Sequence, residues 1–174
     1  MPKLIELVSG EARWADDAFV NLTDEDAIPE TGDVILSLAR FEAEGDALLS
    51  SNSRRVGVRI ESNEEVEVLA YDLPRIAVVA LAFPKYRDGR AYTSARLLRE
   101  RFGYQGQVRA VGDVLQEQAG FMVRVGFDAF EPADGATPEA WTKAASRFRH
   151  VYQRAADARP VAFEERIAFE ERAS

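Results

Sequence analysis

The chain has no cysteine and a single histidine among its 174 residues. Without a thiolate it has no cysteine nucleophile, no cysteine-ligated zinc, no iron–sulfur cluster of its own and no dithiol redox pair. The lone histidine, His150, lies beside Arg147 and Arg149 with no serine or cysteine to form a nucleophilic dyad. A favourable interaction with a helix C-terminus accounts for it. Basic residues are in the minority, 22 against 30 acidic, for a net charge of −8. A nucleic-acid binder would need a basic face, so no nucleic-acid partner is expected. No apolar run approaches the ~18 residues of a membrane span. The segment MPKLIELVSGEARW also lacks the apolar core of a secretion signal. The expectation is therefore a cytoplasmic protein with no membrane partner. No G-x-G-x-x-G, Walker loop or H-E-x-x-H occurs, so no nucleotide cofactor and no metal site is assigned.

What is present is a β/α rhythm. Residues 1–32 read as a strand or hairpin followed by an acidic loop, an N-terminal extension to the α/β domain assigned to 33–158. Asp33 suits the N-cap of a helix running through VILSLARFEAEGDALLSSN, and RRVGVRIESN alternates as a strand. Residues 63–73 suit a helix closed by Pro74. IAVVALAFP is apolar on both faces, like a buried parallel strand. TSARLLRERFG reads as a helix, QVRAVGD as a strand, and VLQEQAGFMVRVG as a helix capped by Asp113. FDAFEP is a fourth strand, and Thr137 caps a last long helix reaching Asp157. Residues 55–158 thus form a four-unit parallel β/α domain. Either a partial barrel or an open doubly wound sheet fits. The remaining 159–174 form a C-terminal arm that repeats AFEER at 162–166 and 168–172; it reads as a packing arm, an edge strand or a disordered tail.

Ligands of parallel α/β domains collect at the carboxyl ends of the strands. Here four strand-to-helix loops qualify, 61–64, 84–92, 112–113 and 131–136, and the second stands out by charge. Between Phe83 and Gly112 lie seven basic and two acidic residues, net +5; the other 15 basic and 28 acidic residues carry −13. Lys85, Arg87 and Arg90 precede a helix N-terminus, Arg96 lies in its first turn, and Arg109 is in the following strand. Together they suit a phosphate, sulfate, sulfite or carboxylate group. The bland alternative is a solvated helix face, above all for Arg99 and Arg101. Asp113 is the candidate catalytic carboxylate, with an N-cap as its other reading. Asp88, Tyr92 and Gln118 are supporting residues: Asp88-Gly89 is a turn whose carboxylate can hold Arg87 or Arg90.

The stretch FPKYRDGRAYTSARLLRERFGYQGQVRAVGDVLQEQAGFMVRVGFDAF resembles an uncharacterised bacterial domain family. Its members are described as oxidoreductases of sulfite reduction, and they are encoded beside assimilatory sulfite reductase. The shared pattern falls here on Phe83, Pro84, Lys85, Asp88, Gly89, Arg90, Tyr92, Ala95, Arg96, Arg99, Arg109, Gly112, Asp113, Gln118, Arg124, Gly126, Phe127 and Asp128. The chain departs from it at Ala91, where the family has Gly, at Thr93 for Ser, at Glu117 for Asp and at Ala119-Gly120. The resemblance implies an accessory protein of sulfite assimilation that binds an oxyanion or docks on sulfite reductase or its electron donor. It supplies no mechanism and no cofactor. The side chains themselves carry no electrons, so any redox role depends on a partner. The alternative is a small barrel-like enzyme or sensor for a phosphorylated or carboxylated metabolite.

Overall fold

In the computed structural model, residues 4–51, 53–133 and 135–173 are described; the first three residues of the N-terminal extension, residue 134 of the fourth loop and the last residue of the arm lie outside them. Eight strands form one sheet: β1 (Leu4–Val8), β2 (Glu11–Ala15), β3 (Phe19–Asn21), β4 (Asp33–Ser37), β5 (Val56–Ile60), β6 (Val78–Phe83), β7 (Gln107–Gly112) and β8 (Ala129–Phe130). Five α-helices accompany them: α1 (Leu38–Ser50), α2 (Arg90–Arg96), α3 (Ala119–Val125), α4 (Pro138–Ala145) and α5 (Ala162–Ala173). The sheet order is β2-β1-β8-β7-β6-β5-β4-β3. Strands β3 to β8 are parallel neighbours in chain order, and β1 and β2 add an antiparallel hairpin beyond β8. A doubly wound sheet reverses its strand order at a switch point; this sheet does not.

The connectivity forces curvature. β2 and β3 occupy opposite edges, yet only residues 16–18 separate them. Eight strands laid flat would put those edges about 34 Å apart at the usual strand spacing. From Ala15 to Phe19 the chain reaches at most about 14 Å. The sheet therefore curls into a half-barrel, with a three-residue strap tying its edges.

Alternation then sorts the side chains. On β6, Val79, Leu81 and Phe83 join the larger core shared with Leu98, Met122 and Trp141 of the helices. Val78, Ala80 and Ala82 face the other way and pack with Ile35 and Val111 in a smaller cluster. Small residues suit that tighter concave side. On β7, Arg109 shares the register of Val111 and is 1% exposed. The strap supplies its counter-charge. Asp17, whose side chain is 3% exposed, takes two hydrogen bonds from the guanidinium at 2.8 and 3.1 Å. Glu131 and Gln107 accept from the same guanidinium at 3.3 and 3.0 Å.

Several elements differ from expectation, each for a local reason. Residues 33–37 are strand, not helix: the Asp33 carboxylate accepts the backbone N–H and guanidinium of Arg55, and Ser37 caps α1 by accepting from Arg40 N. The helix expected over 63–73 is two 3-10 turns, Val66–Leu69 and Leu73–Arg75. Val66 and Leu69, three residues apart, both reach the core, which a three-residue repeat permits. The long helix expected to reach Asp157 ends at Ala145. Beyond it Arg159 donates to the carbonyls of Phe148 and Arg149, withdrawing both from any helical ladder. The arm is the helix α5. Among the described residues, no helix is long and apolar enough to cross a membrane.

Candidate functional site

The adjoining ends of β6 and β7 position the site. Gly112 has φ +97°, and a Cβ there would lie 2.4 Å from the Phe83 carbonyl oxygen. Only glycine lets the two strand ends approach so closely. Asp113 N then donates to that same oxygen at 2.8 Å. The Asp113 carboxylate accepts the N–H of Tyr86 at 2.9 Å, across from β7 to the loop after β6. Asp113 thus neither caps a helix nor stands free at the rim, and α3 begins only at Ala119, after a 3-10 turn over Gln116–Gln118.

Gln118 completes the clamp. Its carbonyl oxygen accepts from Leu115 N at 3.1 Å, while its amide donates to Tyr86 O at 2.8 Å and to the Tyr92 hydroxyl at 2.9 Å. Tyr92 packs edge-on against Phe83 at 5.2 Å and Phe121 at 4.9 Å. Burial raises its phenol pKa, against the Gln118 hydrogen bond. Residues 84–89 are consequently held from beneath by side chains of the next β/α connection.

The charged residues lie on the outer side of this loop. Asp88 Oδ1 accepts Arg90 Nε at 2.9 Å and Oδ2 accepts Arg90 Nη2 at 2.6 Å. Those bonds hold the Asp88 carboxyl well below the usual carboxylate range. Arg90 also donates to the Ser62 hydroxyl, on the loop after β5, at 2.9 Å. Arg87 donates to the Tyr86 hydroxyl at 2.6 Å. Lys85 is exposed and makes no ion pair among the described residues. Pro84, Lys85, Arg87, Asp88, Gly89 and Arg90 line one open cavity of about 510 Å³.

Lys85, Arg87 and Arg90 therefore share a concavity, with Asp88, Tyr92, Asp113 and Gln118 fixing the loop that bears them. Arg96 does not join it; it pairs with Glu100 one turn along at 2.7 Å. Arg109 does not join it either, being neutralised on the concave face by Asp17 and Glu131. Arg99 is no solvated residue. It donates to the carbonyls of Gly126, Tyr104 and Gly106 and to the Asp128 carboxylate, tying α2's extension to the start of β8. Ser62 and the backbone of Tyr86 are the parts of the site that the sequence did not mark. Ser62 had one signal, its place in a strand-to-helix loop; a backbone amide has none. Among the described residues no group of three or more histidine, aspartate or glutamate side chains is placed to hold a metal ion.

No curated protein matches the chain. Residues 57–163, well over half of its length, match the bacterial family of unknown function DUF934. The chain belongs to that family, and the matched segment contains all of β5 but its first residue, β6 through α4, and the whole loop between β6 and α2.

Proposed function

We propose that the protein binds a small oxyanion on the loop between β6 and α2, as an accessory protein of assimilatory sulfite reduction. The observation that carries the reading is the convergence of Lys85, Arg87 and Arg90 on one cavity in a loop clamped by Asp113 and Gln118. A pre-fixed loop spends little ordering entropy when an anion arrives. Asp88 orients Arg90, and Lys85 and Arg87 remain to meet the ligand's charge. Sulfite assimilation enters through the resemblance of residues 83–130, and an oxyanion of sulfur is the ligand that setting supplies. Electrons come from a docked partner, sulfite reductase or its electron donor, because no side chain here transfers them. The strongly acidic remainder of the chain favours an encounter that salt weakens.

A thermal-shift panel of sulfite, sulfate, phosphate and carboxylates tests the reading. An anion held at 100 times its dissociation constant adds about 2.7 kcal/mol to stability. A shift with sulfite or sulfate, and recovery of sulfite reductase or its donor in a low-salt pull-down, are the expected results. No shift with any oxyanion would contradict the proposal.

The size of the cavity favours a second reading. About 510 Å³ is within the range of small-metabolite sites and exceeds what one inorganic anion fills. A phosphorylated or carboxylated metabolite would place its anion on Lys85, Arg87 and Arg90. Stabilisation by such metabolites, and not by inorganic sulfite or sulfate, would select this enzyme or sensor role.

A further inference from the structure

Between α4 and α5 the chain forms neither helix nor strand over residues 146–161. α3 holds this segment through one arginine. Arg124 Nε donates to the Asp157 carboxylate at 3.2 Å, and its Nη2 donates to the Gln153 carbonyl. Arg159 ties the segment to itself, with Nη2 donating to the carbonyls of Phe148 and Arg149 at 2.7 and 2.8 Å. A groove of about 370 Å³ remains between the segment, α3 and the end of α4.

The groove is lined mostly by apolar groups. Phe121, Phe148 and Tyr152 line it with Val151, while Gly120 and Ala145 add no bulky side chain. The three rings are 57, 65 and 87% exposed. Water beside them gains nothing from the ring faces, and an apolar body that displaces it is favoured. The volume lies within the range of small-molecule sites, which are mostly apolar with a few placed polar groups.

The polar groups give the occupant its charge. A second cavity of about 420 Å³ shares Arg124, Ala145, Phe148 and Arg159 with the groove and adds Arg149 and Asp157. Arg124 is matched by Asp157, and His150 by Glu165. Among the described residues no carboxylate pairs with Arg149 or Arg159, and Arg159 Nε and Nη1 make no hydrogen bond. Two positive charges thus stay uncompensated here, in a chain of net charge −8. The Arg159 guanidinium is already fixed by two carbonyls, so its planar fork meets a planar carboxylate at little ordering cost. We propose that this groove binds a carboxylic acid with an aromatic or alkyl body. The body lies against Phe121, Phe148 and Tyr152, and the carboxylate rests on Arg159 with Arg149 beside it. The groove shares no lining residue with the loop between β6 and α2, so the site is independent of the oxyanion reading.

Calorimetric titration of the full chain with naphthoate and octanoate, and with their neutral analogues naphthamide and octanol, tests this. At least one carboxylate should bind at a single site with a Kd of about 100 µM or tighter, and its neutral analogue roughly tenfold more weakly. Binding by naphthoate alone selects aromatic acids, by octanoate alone alkyl acids, and either supports the proposal. Phe148→Ala, at an exposed ring, should weaken acid and neutral analogue alike by about fivefold or more. Arg159→Gln should weaken the acid about tenfold and leave the neutral analogue unchanged. Arg149→Gln removes a charge from an exposed side chain without an ion pair, so it keeps the fold and should weaken the acid about threefold. Absence of binding by both acids, equal affinity for acid and neutral analogue, or unchanged affinity in Phe148→Ala would each overturn the proposal.

Discussion

Asp113 and Gln118 grip the backbone of Tyr86 from its two sides: the carboxylate accepts its N–H at 2.9 Å and the amide donates to its carbonyl at 2.8 Å. The loop after β6 is thereby fixed by side chains that follow β7. The position of Lys85 and Arg87 depends on two connections rather than one.

Removing either grip should loosen the loop. Asp113→Ala and Gln118→Ala should each cost about 1–2 kcal/mol of stability. Because both act on one residue, the double variant should depart from additivity by about 0.5 kcal/mol or more. Urea unfolding of the four proteins measures this. Strict additivity would mean that the two bonds act separately.

Gly112→Ala places a methyl group against the Phe83 carbonyl in a backbone conformation that disfavours any side chain. A loss of about 2–4 kcal/mol is expected, and the paired ends of β6 and β7 should shift with it. Thermal unfolding and amide exchange at Asp113, whose N–H bonds Phe83 O, report the two effects separately.

Local pattern made part of this architecture legible. The run VVALAF reads as a strand buried on both faces, and the cationic, glycine-containing loop after it is visible in the charge arithmetic. Distant pairings were not legible. Arg109 reads as one more cation of the loop cluster, but its partner Asp17 is 92 residues away in a strap whose course only the curled sheet defines. Arg99 shows helical spacing, and its main acceptors are backbone carbonyls, which no side-chain pattern encodes. Asp33 resembles a helix cap because β4 runs into α1 without a break at Ser37 and Leu38.

Arg109 should be the most stability-critical charge. Arg109→Met leaves the buried Asp17 carboxylate without its counter-ion and should cost about 3–5 kcal/mol. Asp17→Leu combined with Arg109→Met should recover most of that loss, since apolar side chains can replace a buried pair. The midpoint of urea unfolding is the readout. A single variant as stable as the native protein would show that the strap is not held by this pair.

The lowered Asp88 pKa sets the pH dependence of the site. A carboxylate whose folded pKa is depressed contributes stability in full above its unfolded value, about 3.9. That contribution is lost as pH falls through the lower folded value. Arg90 therefore stays oriented throughout neutral and mildly acidic solution. Sulfate, whose charge is constant in this range, should bind equally at pH 5 and pH 8, within about twofold. A binding midpoint near pH 6 would assign control to another group.

The most direct measurement is calorimetric titration of sulfite and sulfate into the native protein and into the Lys85→Ala/Arg87→Ala variant at low ionic strength. The account predicts saturable one-site binding by the native protein, weakened by added salt and lost in a variant of unchanged stability. Equal affinity in the two proteins, or no binding by the native one, would contradict it.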